Sequence, residues 1–263
     1  MIEVKEKYKN YLNTREGADT YNRFKEILYG TPDTLVLRLA DRIMSHVHRK
    51  KLSILDVGGG DGKRLILLID LLHSKGIECS ATLVDQSGIF INDFDATDNF
   101  TANIQAVHST FEAFESSQKY DLVLLIHSIF TFEDSFYVDK IKNLLNPQGI
   151  AIIVADTSDS FLAGLKAITD SSFGTERKNI LSVVKDFTDV GFMVEQEMSD
   201  TCYGDCLSDG ALNDNGKLIL RWIALRDWSD IPPAIVDMAT KLFIDKSNGG
   251  KICDKECFVY ASL

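Results

Sequence analysis

The chain has 263 residues, of which 45% are apolar and 25% charged, so its composition is that of a globular protein and excludes disorder as the dominant state. Its 28 basic and 39 acidic side chains give a formal net charge of −11, which argues against nucleic acids and anionic membranes as partners. The first residues are charged, and no run of about 18 apolar residues occurs. We therefore expect a soluble, cytoplasmic protein.

Residues 1–50 are predicted to be helical, because apolar residues recur there at helical spacing and no strand pattern occurs before residue 52. Thr31 and Pro32 are typical of a helix start, with Thr31 as the cap and Pro32 in the first turn. We expect this helix to run from about residue 32 to residue 48. Its buried stripe should contain Leu35, Leu39 and Ile43.

From residue 52 onwards, short apolar strands alternate with amphipathic helices. Strands are predicted at 53–57, 79–84, 103–107, 121–126 and 150–155, and one of the helices between them at about 135–145. The strands are continuous apolar runs, which indicates that both of their faces are buried. This pattern predicts the α/β class, with a doubly wound, mostly parallel sheet.

The end of the chain departs from this alternation. A helix near 177–190 leads into a strand at 192–198, and a last strand at 257–261 follows after more than fifty residues. Long insertions of this kind are usually functional. We divide a single domain of residues 1–263 into an N-terminal helical cover (1–50), a sheet core (51–198), an insertion (199–256) and a final strand (257–263).

Five cysteines, an odd number, favour reduced thiols. Cys202 and Cys206, like Cys253 and Cys257, are separated by three residues, and four thiolates could form a zinc site. Residues four apart on a strand also face the same side, so buried thiols explain the spacing equally. The two-residue spacing typical of zinc ribbons is missing, and we predict no metal.

The turn after the first strand contains the most informative motif, a run of glycines that lets a ligand approach backbone N–H groups at a helix N-terminus. A P-loop is excluded, because Val57 and Arg64 occupy its first and last positions. A dinucleotide fingerprint would need glycine where the chain has Lys63.

The remaining pattern is acidic-x-Gly-x-Gly-x-Gly, formed by Asp56, Gly58, Gly60 and Gly62. It resembles the first motif of the class I S-adenosylmethionine-dependent methyltransferases, and the motifs extend from residue 53 to about 155. The resemblance implies S-adenosyl-L-methionine as cofactor, with S-adenosyl-L-homocysteine as product. It also implies a Rossmann-like fold of seven strands, with an antiparallel C-terminal strand and a helical cover. Residues 51–198 would bind the cofactor, with Asp56 beside its cationic amino-acid end, and 199–256 would lie on the substrate side.

Further cofactor contacts are expected where the next two strands end. Asp85 ends the second strand, where a carboxylate can accept both ribose hydroxyls, and Gln86 follows it. An acidic residue at this position also binds nicotinamide cofactors, so Asp85 alone does not distinguish S-adenosylmethionine from a nicotinamide cofactor. Ser109 and Thr110 follow the third strand, where the family contacts the adenine with a polar side chain.

The segment 120–127 resembles the family's fourth motif, which places Ile126 and His127 beside the cofactor and the substrate. More closely, segments 11–16, 58–60, 121–134, 205–210 and 215–216 resemble the histamine N-methyltransferase group. That resemblance implies that Glu16 holds the substrate's cationic amine. His127 stands where this group has a glutamine, and Asp254, Lys255 or Glu256 could take the place of its asparagine, so histamine itself is not the expected substrate.

Aromatic faces attract cationic amines, so Tyr21, Phe130 and Trp222 could line the acceptor pocket. An amine must be neutral when it attacks, and histidine is the type of side chain that can accept a proton near neutral pH, so His127 is the candidate base. With Glu16, it is the predicted catalytic residue. We expect an enzyme that methylates a small molecule, preferably a cationic amine, and that is a monomer. The alternatives are O-methylation and a catalytically silent cofactor-binding scaffold.

Overall fold

A computed structural model describes residues 4–46, 49–95, 103–129, 132, 136–173, 180–248 and 251–263. Its strands are β1 (Lys51–Val57), β2 (Glu78–Asp85), β3 (Asn103–His108), β4 (Tyr120–Ile126), β5 (Leu145–Asp156), β6 (Met193–Asp205), β7 (Leu207–Ser208), β8 (Ala211–Leu212), β9 (Ser247–Asn248) and β10 (Lys251–Ser262). Its α-helices are α1 (Val4–Leu12), α2 (Arg15–Tyr29), α3 (Thr34–His46), α4 (Lys63–Ser74), α5 (Gly88–Asp95), α6 (Phe136–Leu144), α7 (Phe161–Phe173), α8 (Ile180–Asp189), α9 (Asp214–Ala224) and α10 (Pro233–Lys246). No helix of the described residues is long and apolar enough to cross a membrane.

The main sheet of the described residues has the strand order β3-β2-β1-β4-β5-β10-β6, with the short β9 paired to β10. The strands from β3 to β5 are parallel, whereas β10 runs antiparallel to both of its neighbours, β5 and β6. The predicted fold class, a doubly wound α/β sheet with an antiparallel last strand, is confirmed. The connection reverses direction between β1 and β4, and ligands of such folds bind at this switch point.

Helices cover both faces of the sheet with two separate apolar clusters. One cluster joins the sheet to α2, α3, α4, α7, α9 and α10, and it contains the predicted core residues Leu35, Leu39 and Ile43. The other joins it to α6 and α8, where Val183 and Phe187 are fully buried. Complete burial of an aliphatic or aromatic side chain contributes about 1.5–3 kcal/mol to the stability of the folded state. Both helical layers therefore hold the strands, and with them the strand ends, in position.

The predicted start of α3 is wrong. The helix begins at Thr34, so Thr31 does not cap it and Pro32 does not lie in its first turn. Instead, Asp33 Oδ1 accepts hydrogen bonds from the backbone N–H groups of Leu35 (3.0 Å) and Val36 (3.3 Å). Asp33 therefore satisfies two of the N–H groups that a helix start leaves without a partner.

The insertion is built from the hairpin β7–β8, α9 and α10, and the strands on either side of it are longer than predicted. β6 and β10 stay paired beyond the edge of the sheet, as far as Asp205 opposite Lys251. α9 packs against α2, so that the N-terminal helices and the insertion meet above the carboxyl ends of the strands. Cys206 and Cys257 are buried free thiols, and burial raises the pKa of the Cys257 thiol to about 11.

Candidate active site

The turn between β1 and α4 can be formed only by glycine at Gly58. This residue has a φ of +71°, and its N–H donates to Val84 O at 2.7 Å. A Cβ at this position would lie 2.6 Å from Ser128 Cβ, below any normal contact distance. The turn is therefore held tightly between the ends of β2 and β4, with its backbone facing the cleft above them.

Asp85 joins the end of β2 to this turn. Its Oδ2 accepts a hydrogen bond from Gly60 N at 2.9 Å, and its Oδ1 accepts one from Ser87 N at 2.8 Å. Burial raises the pKa of Asp85, although both N–H groups act in the opposite direction. Each carboxylate oxygen has a second lone pair, so Asp85 can still accept hydroxyl groups from a ligand.

Asp56, Gly62 and Ile126 are predicted cofactor contacts that do not line the cleft. Asp56 is buried beneath the turn, where its Oδ2 is 2.4 Å from the position a Cβ of Gly59 would take. Burial, and then the nearby Asp85, raises the pKa of Asp56 to about 7. Gly62 packs against Phe94 at the start of α4. These residues support the turn from below.

The cleft itself lies over the carboxyl ends of β1, β2, β3 and β4. We call it the cofactor cleft. Its lining contains most of the residues predicted for this site: Gly58, Gly60, Asp85, Gln86, Ser109, Thr110, His127, Tyr21 and Trp222. It also contains residues that carry no recognisable motif: Leu12, Val57, Val84, Phe90, Phe111, Glu112, Ser128 and Phe132.

His127 occupies a strained position directly after β4. Its φ of +53° is unusual for a residue other than glycine, and its N–H donates to Val154 O at 2.9 Å. Its Nε2 lies 2.9 Å from Glu256 Oε1 and 2.8 Å from the hydroxyl of Tyr29. The Tyr29 hydroxyl in turn donates to Glu256 Oε1 at 2.5 Å. The imidazole is thus anchored through Nε2 from two sides.

Glu256, on β10, is fully buried and is an acceptor for both of these groups. Burial alone would raise its pKa, but the hydrogen bond and the charge of His127, followed by the Tyr29 hydroxyl, lower it below the ordinary value. An ionised Glu256 has no proton to donate, so His127 must carry its proton on Nε2. The other nitrogen, Nδ1, lies 3.7 Å from Asp156 Oδ1, and it has a lone pair whenever the imidazole is neutral.

A second pocket adjoins the cofactor cleft, and we call it the inner pocket. Both are lined by Tyr21, His127 and Trp222, and the rings of Tyr21 and Trp222 are in contact, with centroids 4.7 Å apart. The remaining lining of the inner pocket is Phe24, Lys25, Tyr29, Arg64, Asp156, Leu162, Lys166 and Ile223. Trp222 places α9 of the insertion at the border between the two.

The basic side chains of the inner pocket are held by acidic partners. Lys25 Nζ lies 3.0 Å from Asp61 Oδ1, and Lys166 forms an ion pair with Asp156. Arg64 Nε donates to Asp33 Oδ2 at 2.7 Å. Burial lowers the pKa of Lys25, whereas Asp61, opposed by its own burial, has a lowered pKa because of Lys25 and Lys63.

Glu16 does not reach either pocket. Its side chain is 63% exposed and forms an ion pair with Arg221 of α9. Of the three residues considered near the last strand, only Glu256 faces the site. Asp254 accepts the N–H groups of Phe161 and Leu162 at the start of α7, and Lys255 is paired with Asp159 on the surface. Phe130 lies outside the described residues.

The residues that the motifs missed are contributed by elements far apart in the chain. Tyr29 closes α2, Asp156 ends β5 and Lys166 lies on α7. Of these residues, the sequence could have indicated only Asp156, because it directly follows a predicted apolar strand, as Asp85 does. Among the described residues, no group of three or more histidine, cysteine or acidic side chains could hold a metal ion.

Comparison with known proteins places this site in a family. The sequence profile of the methyltransferase domain matches residues 24–199, more than half of the chain. A search of curated proteins found no significant match. The closer resemblance to the histamine N-methyltransferase group finds no support in these comparisons.

Solved structures, two of them of methyltransferases, share the fold. Magnesium protoporphyrin IX methyltransferase (ChlM) from Synechocystis PCC 6803, with S-adenosylhomocysteine bound, is 12% identical with a TM-score of 0.62, covering 98% of this chain and 99% of that one. The plantazolicin methyltransferase BpumL, also with S-adenosylhomocysteine, is 14% identical with a TM-score of 0.58, covering 98% and 97%. The YcgJ protein from Bacillus subtilis is 13% identical with a TM-score of 0.62, covering 87% and 97%. At these identities the likeness concerns the fold.

The glycine turn with Asp85, the strand order and the profile match lead to the same result. The chain belongs to the methyltransferase domain family and is a class I enzyme whose cofactor is S-adenosylmethionine.

Proposed function

We propose that this enzyme methylates the nitrogen of a small-molecule acceptor that binds in the inner pocket, with His127 as the general base. The observation that carries the proposal is the position of His127, which lines both the cofactor cleft and the inner pocket. A methyl group that passes from one to the other crosses the border formed by His127, Tyr21 and Trp222. When bound, S-adenosylmethionine supplies the methyl group on a sulfonium, which is already an activated leaving group.

The residues of the cofactor cleft fit this cofactor. Asp85 is the acceptor expected for the two ribose hydroxyls, with lone pairs left after its bonds to Gly60 and Ser87. Gly60 has no heavy atom closer than 3.6 Å to the position of a Cβ, so its side of the turn is open to a ligand. Ser109 and Thr110 lie farther along the lining, where the family contacts the adenine.

The partners of His127 support its role as a base. Glu256 fixes the proton on Nε2, which leaves the lone pair of Nδ1 for the proton of the acceptor. Asp156 Oδ1, 3.7 Å from Nδ1, lowers the energy of the imidazolium that results. Tyr29 holds Glu256 and the imidazole in one orientation, because its hydroxyl contacts both.

The charges beside His127 favour nitrogen over oxygen as the acceptor atom. A neutral amine becomes positively charged when it takes the methyl group, and Glu256 and Asp156 place two carboxylates close to that point. Aromatic rings of Tyr21, Phe24 and Trp222 line the same space and accommodate an apolar acceptor body.

The proposal is tested with His127→Asn, because asparagine tolerates the positive φ at this position better than alanine does. We expect kcat with an amine acceptor to fall by about 100-fold to 10,000-fold, the usual contribution of a general base. The affinity for S-adenosylhomocysteine, measured by calorimetry, should stay within a few-fold of the wild-type value. Wild-type turnover in this variant would refute the role of His127.

The acceptor class is tested with radiolabelled S-adenosylmethionine and paired anilines and phenols of the same shape. We expect the radiolabelled methyl group to be transferred to the anilines and not to the phenols. Transfer to phenols alone would refute N-methylation while keeping the pocket assignment. Transfer to proteins of a lysate, with none to either class of small molecule, would refute the assignment of a small-molecule acceptor.

A further inference from the structure

Arg64 is a buried cation whose hydrogen-bonding capacity is not filled by the residues around it. The side chain, on the first turn of α4, is 9% exposed. Its Nε donates to Asp33 Oδ2, but its Nη2 is buried and has no hydrogen-bond partner among the described residues. Buried guanidinium N–H groups are normally satisfied, because leaving one without an acceptor is costly.

Asp33 cannot complete the pairing, because it also serves α3. Its Oδ1 accepts the N–H groups of Leu35 and Val36, so only Oδ2 is directed at Arg64. The fork of a guanidinium matches both oxygens of a carboxylate, and here one oxygen is used for capping. Burial would lower the pKa of Arg64, but Asp33, followed by the nearby tyrosines, keeps it above the ordinary value, so the charge is retained.

The guanidinium lies on the side of the inner pocket. Its Cζ is 4.6 Å from the centroid of the Tyr29 ring, and that ring is 6.1 Å from the ring of His127. Arg64 lines the inner pocket and does not line the cofactor cleft. Arg64 also lines a further cavity, together with Asp33 and Lys63. Of these two cavities, the inner pocket is the one that His127 also lines, so an acceptor that reaches both residues lies in the inner pocket.

The neighbouring cations do not offer the same site. Lys25 is held by Asp61 and Lys166 by Asp156. The apolar and aromatic part of the lining includes Phe24, Leu162 and Trp222. The inner pocket thus combines a hydrogen-bond donor on Arg64, apolar side chains and a base on His127.

We propose that Arg64 binds a carboxylate of the acceptor. The acceptor is then an aromatic or apolar acid whose nucleophilic atom lies at the end opposite its carboxylate. This inference rests on the proposed function in one respect, that the inner pocket holds the acceptor. It makes Arg64 a specificity-determining residue. It also narrows the proposed substrate class from amines in general to amines that carry a carboxylate, such as aminoaryl acids.

The experiment compares two pairs of probes that differ only in the carboxylate. The amines are 3-(4-aminophenyl)propionate and 4-ethylaniline, and the phenols are 3-(4-hydroxyphenyl)propionate and 4-ethylphenol. Binding of each probe to the full chain, with saturating S-adenosylhomocysteine, is measured by calorimetry. Because the readout is binding, a failure of methyl transfer would count against the proposed function and leave this result intact.

The variants are Arg64→Gln and Arg64→Lys, with Lys63→Gln as the matched control, since Lys63 is the preceding cation and lies outside the inner pocket. We expect the wild type and the control to bind each acid about tenfold or more tightly than its partner, the range of a charge-assisted hydrogen bond. Arg64→Gln should reduce this ratio to about one. Arg64→Lys, which keeps the charge beside Asp33 and so guards against misfolding, should give an intermediate ratio.

Two outcomes would overturn the proposal. One is that the wild type binds neither acid or does not distinguish the acids from their partners. The other is that Arg64→Gln weakens S-adenosylhomocysteine itself but not 5′-methylthioadenosine, which lacks the amino-acid end. Arg64 would then bind the carboxylate of the cofactor rather than that of the acceptor.

Discussion

Asp56 should make the stability of this protein depend on pH. It is 2% exposed, and burial together with Asp85 raises its pKa to about 7, against about 3.9 for an aspartate in an unfolded chain. Between these pH values the folded state keeps a proton that the unfolded state has released. The free energy of unfolding therefore falls as the pH rises through this window, and above about pH 7 the loss is complete.

The size of the effect follows from the two pKa values. At about 1.4 kcal/mol for each pH unit between them, ionised Asp56 destabilises the folded state by roughly 4 kcal/mol. Asp56→Asn keeps the shape of the side chain and removes the ionisation. We expect the variant to have nearly the stability of the wild type at about pH 4, and to gain on it by up to this amount at about pH 8.

The assay is urea unfolding without cofactor, followed by tryptophan fluorescence at several values between about pH 4 and pH 8. Asp70→Asn, at an exposed position of α4, is the control and should follow the wild type throughout. A constant difference between Asp56→Asn and the wild type across this range would refute the reasoning. It would mean that Asp56 is already ionised at low pH in the folded protein.

Three further changes test the site. Asp85→Asn should weaken S-adenosylhomocysteine binding about tenfold or more in calorimetry, and unchanged affinity would contradict the ribose contact. Gly58→Ala should lower the free energy of unfolding by about 1–3 kcal/mol or more in urea, because its Cβ would meet Ser128 at 2.6 Å, and an unchanged midpoint would contradict that contact. Glu256→Gln should lower kcat and change the pH–rate profile through His127, whereas a structural role alone would leave the shape of that profile unchanged.

The fold and the cofactor cleft were largely predictable because their signals are local. The glycine turn and Asp85 each follow an apolar strand directly, and the carboxyl ends of neighbouring parallel strands meet at one edge of the sheet. These local signals did not predict the orientation of Asp56. A strand-end acid can point into the cleft or beneath the turn, and only the packing under Gly59 decides between the two.

The inner pocket was much less predictable because its contacts join distant parts of the chain. Glu256 is hydrogen-bonded to Tyr29 and His127, which are 227 and 129 residues away in the sequence. Arg64 is hydrogen-bonded to Asp33, which is 31 residues away. No spacing rule covers such pairs, since they depend on how α2, α3 and β10 pack over the sheet. Glu16 illustrates the converse, because a plausible position in a helical segment carried no information about which way the side chain points.

The net charge of −11 argues only against nucleic acids and anionic membranes as partners, whereas the local arrangement of charges around the inner pocket is more specific. The acids are concentrated at the His127 end, where Glu256 and Asp156 flank the imidazole, and this is where an amine would develop charge. The other end has Arg64, whose Nη2 has no hydrogen-bond partner among the described residues. A simple amine would use only the first of these ends. An acceptor that carries its amine and its carboxylate at opposite ends would use both, because its carboxylate would pair with Arg64 and its nitrogen would become positively charged beside Glu256 and Asp156.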